Sequence, residues 1–185
     1  MKTVLRILAC ALAVCGLTSC PETTVDDDFG LKPEALNVSD WNGDWTPVDD
    51  DDVLHLVVTD AAKGLLVVTE PGKKDDKPLE ISIREASADK EEKLCFAVVR
   101  DPKAKKSGES FMLFRLADDG VLFSWSIDHD AVAAAIKAGQ LQGTVKPDKD
   151  GAHSHLDSTP ANYARLLEPK FWRWTEPSCL KRLKK

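Results

Sequence analysis

Alternation of apolar and polar residues at a period of two, cut at short intervals by turn residues, most constrains the fold of this 185-residue chain. Leu79, Ile81 and Ile83 alternate with Glu80, Ser82 and Arg84, which puts one set on each face of a strand and leaves one face wet. Residues 53–59 and 64–70 are β-branched and leucine-rich runs joined by Asp60-Ala61-Ala62-Lys63. They predict a hairpin, and Pro71-Gly72 ends it. Residues 94–100 form a further strand, followed by a charged loop from Asp101 to Gly108. Residues 111–116 and 121–127 flank Asp118-Asp119-Gly120, where the glycine supplies the positive φ of a tight hairpin turn. In the latter strand Val121, Phe123, Trp125 and Ile127 share a face, which is expected inside.

The period then lengthens. Asp130 is placed to cap a helix over residues 131–138, and Gly139 to end it in the left-handed conformation. Thr159-Pro160 reads as cap and first helical residue of a second helix over 161–167, which Pro169 stops. Phe171, Trp172 and Trp174 then return, placed to plug one opening. The pattern predicts a mainly β (α+β) chain: an antiparallel curved sheet or small β-barrel with two short C-terminal helices closing it.

The first residues carry a different message. Met1, Lys2 and Arg6 precede an apolar run over residues 7–16. A membrane-spanning helix needs about 18 or more apolar residues, so the run reads as a secretory signal with a small-residue cleavage site. Leu17-Thr18-Ser19-Cys20 resembles the lipobox of bacterial lipoproteins. In that family a peptidase cuts before the cysteine, and acyl chains are attached to its sulfur and new amino group. Burial gains about 0.8 kcal/mol per methylene, and stable anchoring takes more than one chain. The resemblance implies a bacterial cell-envelope location with the lipid bilayer as partner through acylated Cys20 and the domain facing periplasm or cell exterior. Pro21, where an inner-membrane retention signal would have Asp, favours the outer membrane. The expected organisation is a signal peptide over 1–19, a lipidated tether over 20–40 and a single β-rich domain over 41–185. A flexible stretch of about 20 residues would lift the domain by roughly 25 Å.

Loss of the signal removes Lys2 and Arg6 and makes the net charge more negative than −6. A nucleic-acid partner is not expected, because phosphate binding needs clustered Lys and Arg on a basic surface. The acidic runs Asp26–Asp28 and Asp49–Asp52 and the basic tail Lys181, Arg182, Lys184 and Lys185 read as solvated segments. A basic tail is also suited to anionic head groups beside the anchor. With Cys10 and Cys15 gone and Cys20 acylated, Cys95 and Cys179 remain. In an oxidising compartment such a pair is expected to be bonded, with a gain of about 4 kcal/mol for a loop of roughly 85 residues.

Gly43-Asp44-Trp45 resembles the G-x-W on the first strand of lipocalins, which implies an eight-stranded barrel around a small hydrophobic ligand. Residues 134–145, Thr159-Pro160 and 163–167 resemble uncharacterised bacterial exported lipoproteins. No G-x-S-x-G, P-loop, G-x-G-x-x-G or H-E-x-x-H occurs, so no catalytic residue and no cofactor are assigned. The weak candidates for a metal are His153 and His155, whose imidazoles would share a face of a strand, with Asp157 or His129 to complete a zinc site. Asp148-x-Asp150-Gly151 begins like a calcium loop without completing one, and Asp49–Asp52 offer loose calcium ligands. The leading expectation is a non-enzymatic, membrane-anchored binding domain for an envelope protein or component. The alternative is a lipocalin-like carrier of a small hydrophobic ligand.

Overall fold

A computed structural model describes residues 21–48, 50–72, 77–88, 93–102, 108–148 and 151–183. The expected signal peptide over 1–19, Cys20, most of the loop after Asp101, Asp49, Asp150, Lys184 and Lys185 lie outside the described residues. Two sheets organise the chain. Eight antiparallel strands close into a barrel in the order β11-β2-β3-β4-β5-β6-β7-β8. They are β2 (Gly43–Pro47), β3 (Leu54–Asp60), β4 (Leu65–Thr69), β5 (Leu79–Glu85), β6 (Cys95–Arg100), β7 (Ser110–Leu116), β8 (Val121–Trp125) and β11 (Ser178–Arg182). A three-stranded sheet, β1-β10-β9, lies beside them, built from β1 (Glu22–Val25), β9 (Gly143–Asp148) and β10 (Gly151–Leu156). The expected mainly β fold is therefore present, and its form is the barrel.

Period-two patterning accounts for the barrel interior. Leu54 and Leu56 of β3, Leu66 and Val68 of β4, and Ile81 and Ile83 of β5 point inward with Ala97, Phe114, Leu122 and Leu180 from the remaining wall. The hairpin β3–β4 forms where the runs predict it, and Gly120 (φ +79°) turns β7 into β8. β6, by contrast, is buried on both faces: Cys95, Ala97 and Val99 face the interior, while Phe96 and Val98 face a second core outside.

That second core changes the expected role of the C-terminal region. Phe111, Leu113 and Trp125 on the outer barrel wall pack with Val25, Phe29, Val132, Leu156, Tyr163, Leu166, Phe171 and Trp172. Phe29 sits at its centre, with ring centroids 5.2 Å from Phe96, 5.1 Å from Phe111 and 4.9 Å from Tyr163. Trp125 and Ile127 are thus buried, with Phe123 half-buried beside them, but on the outer side of the wall; Leu122 is the β8 residue in the barrel. Phe171 and Trp172 plug no opening and instead fill this outer core. The two helices do not close the barrel. α2 (His129–Lys137) packs on β10, β9 and β1, and α3 (Pro160–Leu166) supplies Tyr163 and Leu166 to the same core. The cap of α2 is Asp128, whose carboxylate accepts from the Ala131 N–H at 2.9 Å; Asp130 lies one residue inside the first turn. Gly139 (φ +71°) follows its end as expected, and Thr159 caps α3 by accepting from the Asn162 N–H.

Residues 21–40 are not a tether. β1 pairs in parallel with β10, from Glu22 opposite His153 to Val25 opposite Leu156, and Val25 and Phe29 are fully buried. The chain then runs across β5 through hydrogen bonds of Leu31 and Glu34 N–H to the Glu85 and Ile83 carbonyls. It ends in the short helix α1 (Val38–Trp41). Lys181 and Arg182 likewise belong to no loose tail: β11 is the strand that closes the barrel between β2 and β8. The expected Cys95–Cys179 disulfide is absent. β6 and β11 are three strand spacings apart in the wall, about 14 Å at the usual separation, whereas a disulfide needs Cα atoms within about 7 Å. The two thiols also point to opposite sides, Cys95 inward and Cys179 outward beside Phe123.

Candidate binding site

One end of the barrel is closed by a lid assembled from residues far apart in sequence. Asn37 caps α1 by accepting from the Ser39 N–H at 3.2 Å, and the helix turns Leu36 and Trp41 down into the barrel core. Asn42 fastens the lid to β3, its side-chain oxygen accepting from the Val58 N–H at 2.7 Å. Trp45, fully buried, donates from Nε1 to the Trp41 carbonyl at 2.9 Å. Arg182, at the end of the closing strand, donates to the carbonyls of Ser39 and Asn42. First strand, last strand and lid are thereby joined at one point.

Below the lid the interior is filled. Its walls are apolar side chains, among them Leu54, Leu66, Ile81, Met112 and Phe114, and the cavity that these described residues line is about 40 Å³. Pockets that bury a small molecule run to roughly 300–1,000 Å³. A void this small and this apolar has no polar partner to hold even water.

Larger depressions among the described residues lie at the barrel mouth, where Leu36, Trp41, Cys95 and Phe114 edge one of them, and on the outer face of β2 and β3. Two depressions share Asp118, Gly120 and Arg182. One, of about 430 Å³, is bounded by Glu34, Asn37, Asp40, Lys93 and the edge of Cys95. The other, of about 960 Å³, is bounded by Asp44, His55, Asp119 and Lys181. Asp44 and His55 are cross-strand neighbours on the outer face of β2 and β3, with Oδ1 and Nδ1 2.8 Å apart. Both signs of charge therefore line a rim around a rigid apolar floor, an arrangement suited to a polar partner surface and not to a lipid tail.

The chemistry expected of individual residues is largely spoken for by their neighbours. Burial, reinforced by Glu34 and Glu85, pushes the Cys95 thiol up to about 12, opposite to what an activated nucleophile requires. His153 and His155 do share a face of β10, as expected of a strand, but each faces a carboxylate from the β1 side. His153 Nδ1 lies 3.9 Å from Glu22, and His155 Nε2 lies 3.4 Å from Asp26. His129 is held on the opposite face of that sheet, its Nδ1 3.0 Å from Thr23 Oγ1. Among the described residues no group of three or more His, Cys, Asp or Glu is placed to hold a metal. Of the Asp49–Asp52 run, Asp50 caps its own turn, accepting from the Asp51 N–H at 2.7 Å. Thr23 and Ser154 lie side by side in register near His129, yet they are 2% and 3% exposed beneath α2, where no substrate reaches.

Sequence reading missed the lid and its Arg182 clasp. Nothing local in Ser178–Arg182 announces a barrel strand, because only Leu180 in it is deeply buried. Comparison of the chain with models of known families, with curated proteins and with solved structures finds no match.

Proposed function

We propose that this chain is a lipoprotein of the bacterial cell envelope, held by acyl chains on Cys20, whose barrel is a solid scaffold that recognises a protein or other polar envelope component through its outer surface. The observation that carries the reading is the filled interior: about 40 Å³ of void behind a lid fixed by Asn42, Trp45 and Arg182. The orientation of the walls supports a lipid anchor as the means of attachment. Apolar residues face inward, while His55, Glu80 and Arg84 face out, the reverse of a barrel that spans a bilayer. The mixed-charge depressions around Arg182 are the recognition surface. Photo-crosslinkers placed at Asn37 and at Asp118 in the intact lipoprotein are expected to trap one discrete partner that a crosslinker at Lys63 does not trap. Equal and diffuse products from all three positions overturn the assignment.

A second reading, a lipocalin-like carrier, draws on the closed eight-stranded barrel that opens at Gly43-Asp44-Trp45 and on its apolar lining. It requires side chains such as Met112 and Leu79 to withdraw and make room. Native mass spectrometry of protein released gently from envelopes decides it, since a carrier shows a bound non-covalent mass and the scaffold shows none.

A further inference from the structure

We infer that the lipid anchor leads into the fold with almost no spacer, so that the edge formed by β1 and the β9–β10 hairpin lies against the head groups of the membrane holding Cys20. This rests on acylation of Cys20 as proposed above. Only Pro21 separates that cysteine from Glu22, the first residue of β1. Two residues of chain reach at most about 7 Å, against the roughly 25 Å of a free 20-residue tether.

β1 cannot lengthen the reach by peeling away. Each of its four residues is in register with β10, Val25 is fully buried, Thr23 is 2% exposed, and the Val25 N–H and carbonyl are bonded to Glu109. Detachment would open the outer core at Phe29.

The row of residues beside the anchor follows from the pairing. Glu22 stands opposite His153, and His153 stands opposite Lys146. Two strand spacings put Lys146 about 10 Å from Glu22, and the turn between β9 and β10 is at the same end, because β10 runs parallel to β1. The head-group layer is itself about 5–8 Å deep, so this row is in contact with it. Lys63 is remote: it lies in the β3–β4 turn, whereas β1 contacts the barrel at β7, four strands away around the wall. A domain of this size is about 40 Å across.

Lysine footprinting of the intact, lipidated chain tests the placement. The native protein is reconstituted in phosphatidylcholine vesicles and treated with a bilayer-impermeant amine reagent, with a non-lipidated form of residues 21–185 as the reference. Lys146 is expected to lose reactivity about threefold or more on the vesicle, in keeping with contact at head-group depth, while Lys63 is unchanged. Insertion of about 20 Gly/Ser residues between Pro21 and Glu22 is expected to restore Lys146, since that spacer reaches well beyond the head groups. Equal reactivity of Lys146 on and off the vesicle, with intact mass showing acylated Cys20, overturns the placement and leaves the anchor standing. Intact mass showing unmodified Cys20 overturns both.

Discussion

Arg182 lies directly over Gly43. A β-carbon at position 43 would sit 3.3 Å from Arg182 Nε, on a residue whose φ is +137°. The first barrel strand thus begins where the last one ends, and the guanidinium spans the join to reach the Ser39 and Asn42 carbonyls. Gly43→Ala is expected to cost about 1–3 kcal/mol from backbone strain alone. Arg182→Lys keeps the charge but loses the fork; with the group exposed, about 1 kcal/mol is expected. Urea unfolding checks both, and an unchanged midpoint for Arg182→Lys shows that the lid is held without it.

The filled interior makes opposite predictions for two neighbouring sites. Leu66 is 2% exposed, and Leu66→Ala is expected to cost about 2–5 kcal/mol because the barrel wall cannot collapse onto the space left. Ala97 lines the residual void of about 40 Å³. Ala97→Val adds two methyl groups there and is expected to be neutral or to stabilise by about 0.5–1 kcal/mol. Partner crosslinking should survive Ala97→Val under the scaffold reading. A carrier would lose its ligand to the same change.

The two remaining cysteines should behave as separate groups. Cys95 is buried on the inner face with its thiol pushed up to about 12, chiefly by desolvation. At pH 8 its thiolate fraction is about 10⁻⁴, against roughly a quarter for an unperturbed thiol. Cys179, half-buried on the outer face, is expected to react with a maleimide at least a hundredfold faster. Because the pair is unbonded, reductant should leave the thermal midpoint unchanged; a fall of more than a few degrees would show that a bond had formed.

What the chain disclosed by itself divides along a physical line. β3–β4 and β7–β8 were legible because turn chemistry and alternation are local, and Gly120 needs no distant partner to explain it. The faces of β6 and β8 were not. In a wall buried on both sides, Leu122 and Trp125 are equally apolar, and only the existence of the outer core says which faces the barrel. The arm over residues 21–40 reads as polar because Asp26–Asp28 separate its two anchors, Val25 and Phe29. Two buried side chains with a parallel strand are enough to fold it, and the strand's partner lies some 130 residues away. The clasp at Arg182 has the same character. Its acceptors are backbone carbonyls about 140 residues earlier, which no side-chain pattern marks.

The arm makes a direct prediction. Phe29 contacts Phe96, Phe111 and Tyr163, and Phe29→Ala is expected to cost about 3–5 kcal/mol, a large share of a domain's stability. A free tether would tolerate the change. Thermal unfolding of residues 21–185 with and without it distinguishes the two, and an unaltered midpoint would return residues 21–40 to the role of linker.

His129 gives the fold a pH dependence of known sign. Its imidazole is half-buried against Thr23, and desolvation lowers its pKa below the ordinary value of 6.5. Glu22, Asp128 and Asp130 pull the other way, and Arg173 adds to the lowering. Above pH 6.5 the ring is neutral in both folded and unfolded chains, so it confers no slope there. As pH falls below 6.5 the unfolded chain takes up a proton that the folded chain refuses. Stability then drops by up to about 1.4 kcal/mol per pH unit until the folded pKa is passed. His129→Gln keeps a polar group near Thr23 and removes the titration. The difference in stability between wild type and His129→Gln, measured in urea at pH 7.5 and again at pH 5, isolates the contribution of His129. That difference is expected to move toward the variant at pH 5; identical differences at the two pH values would mean that burial does not govern this histidine.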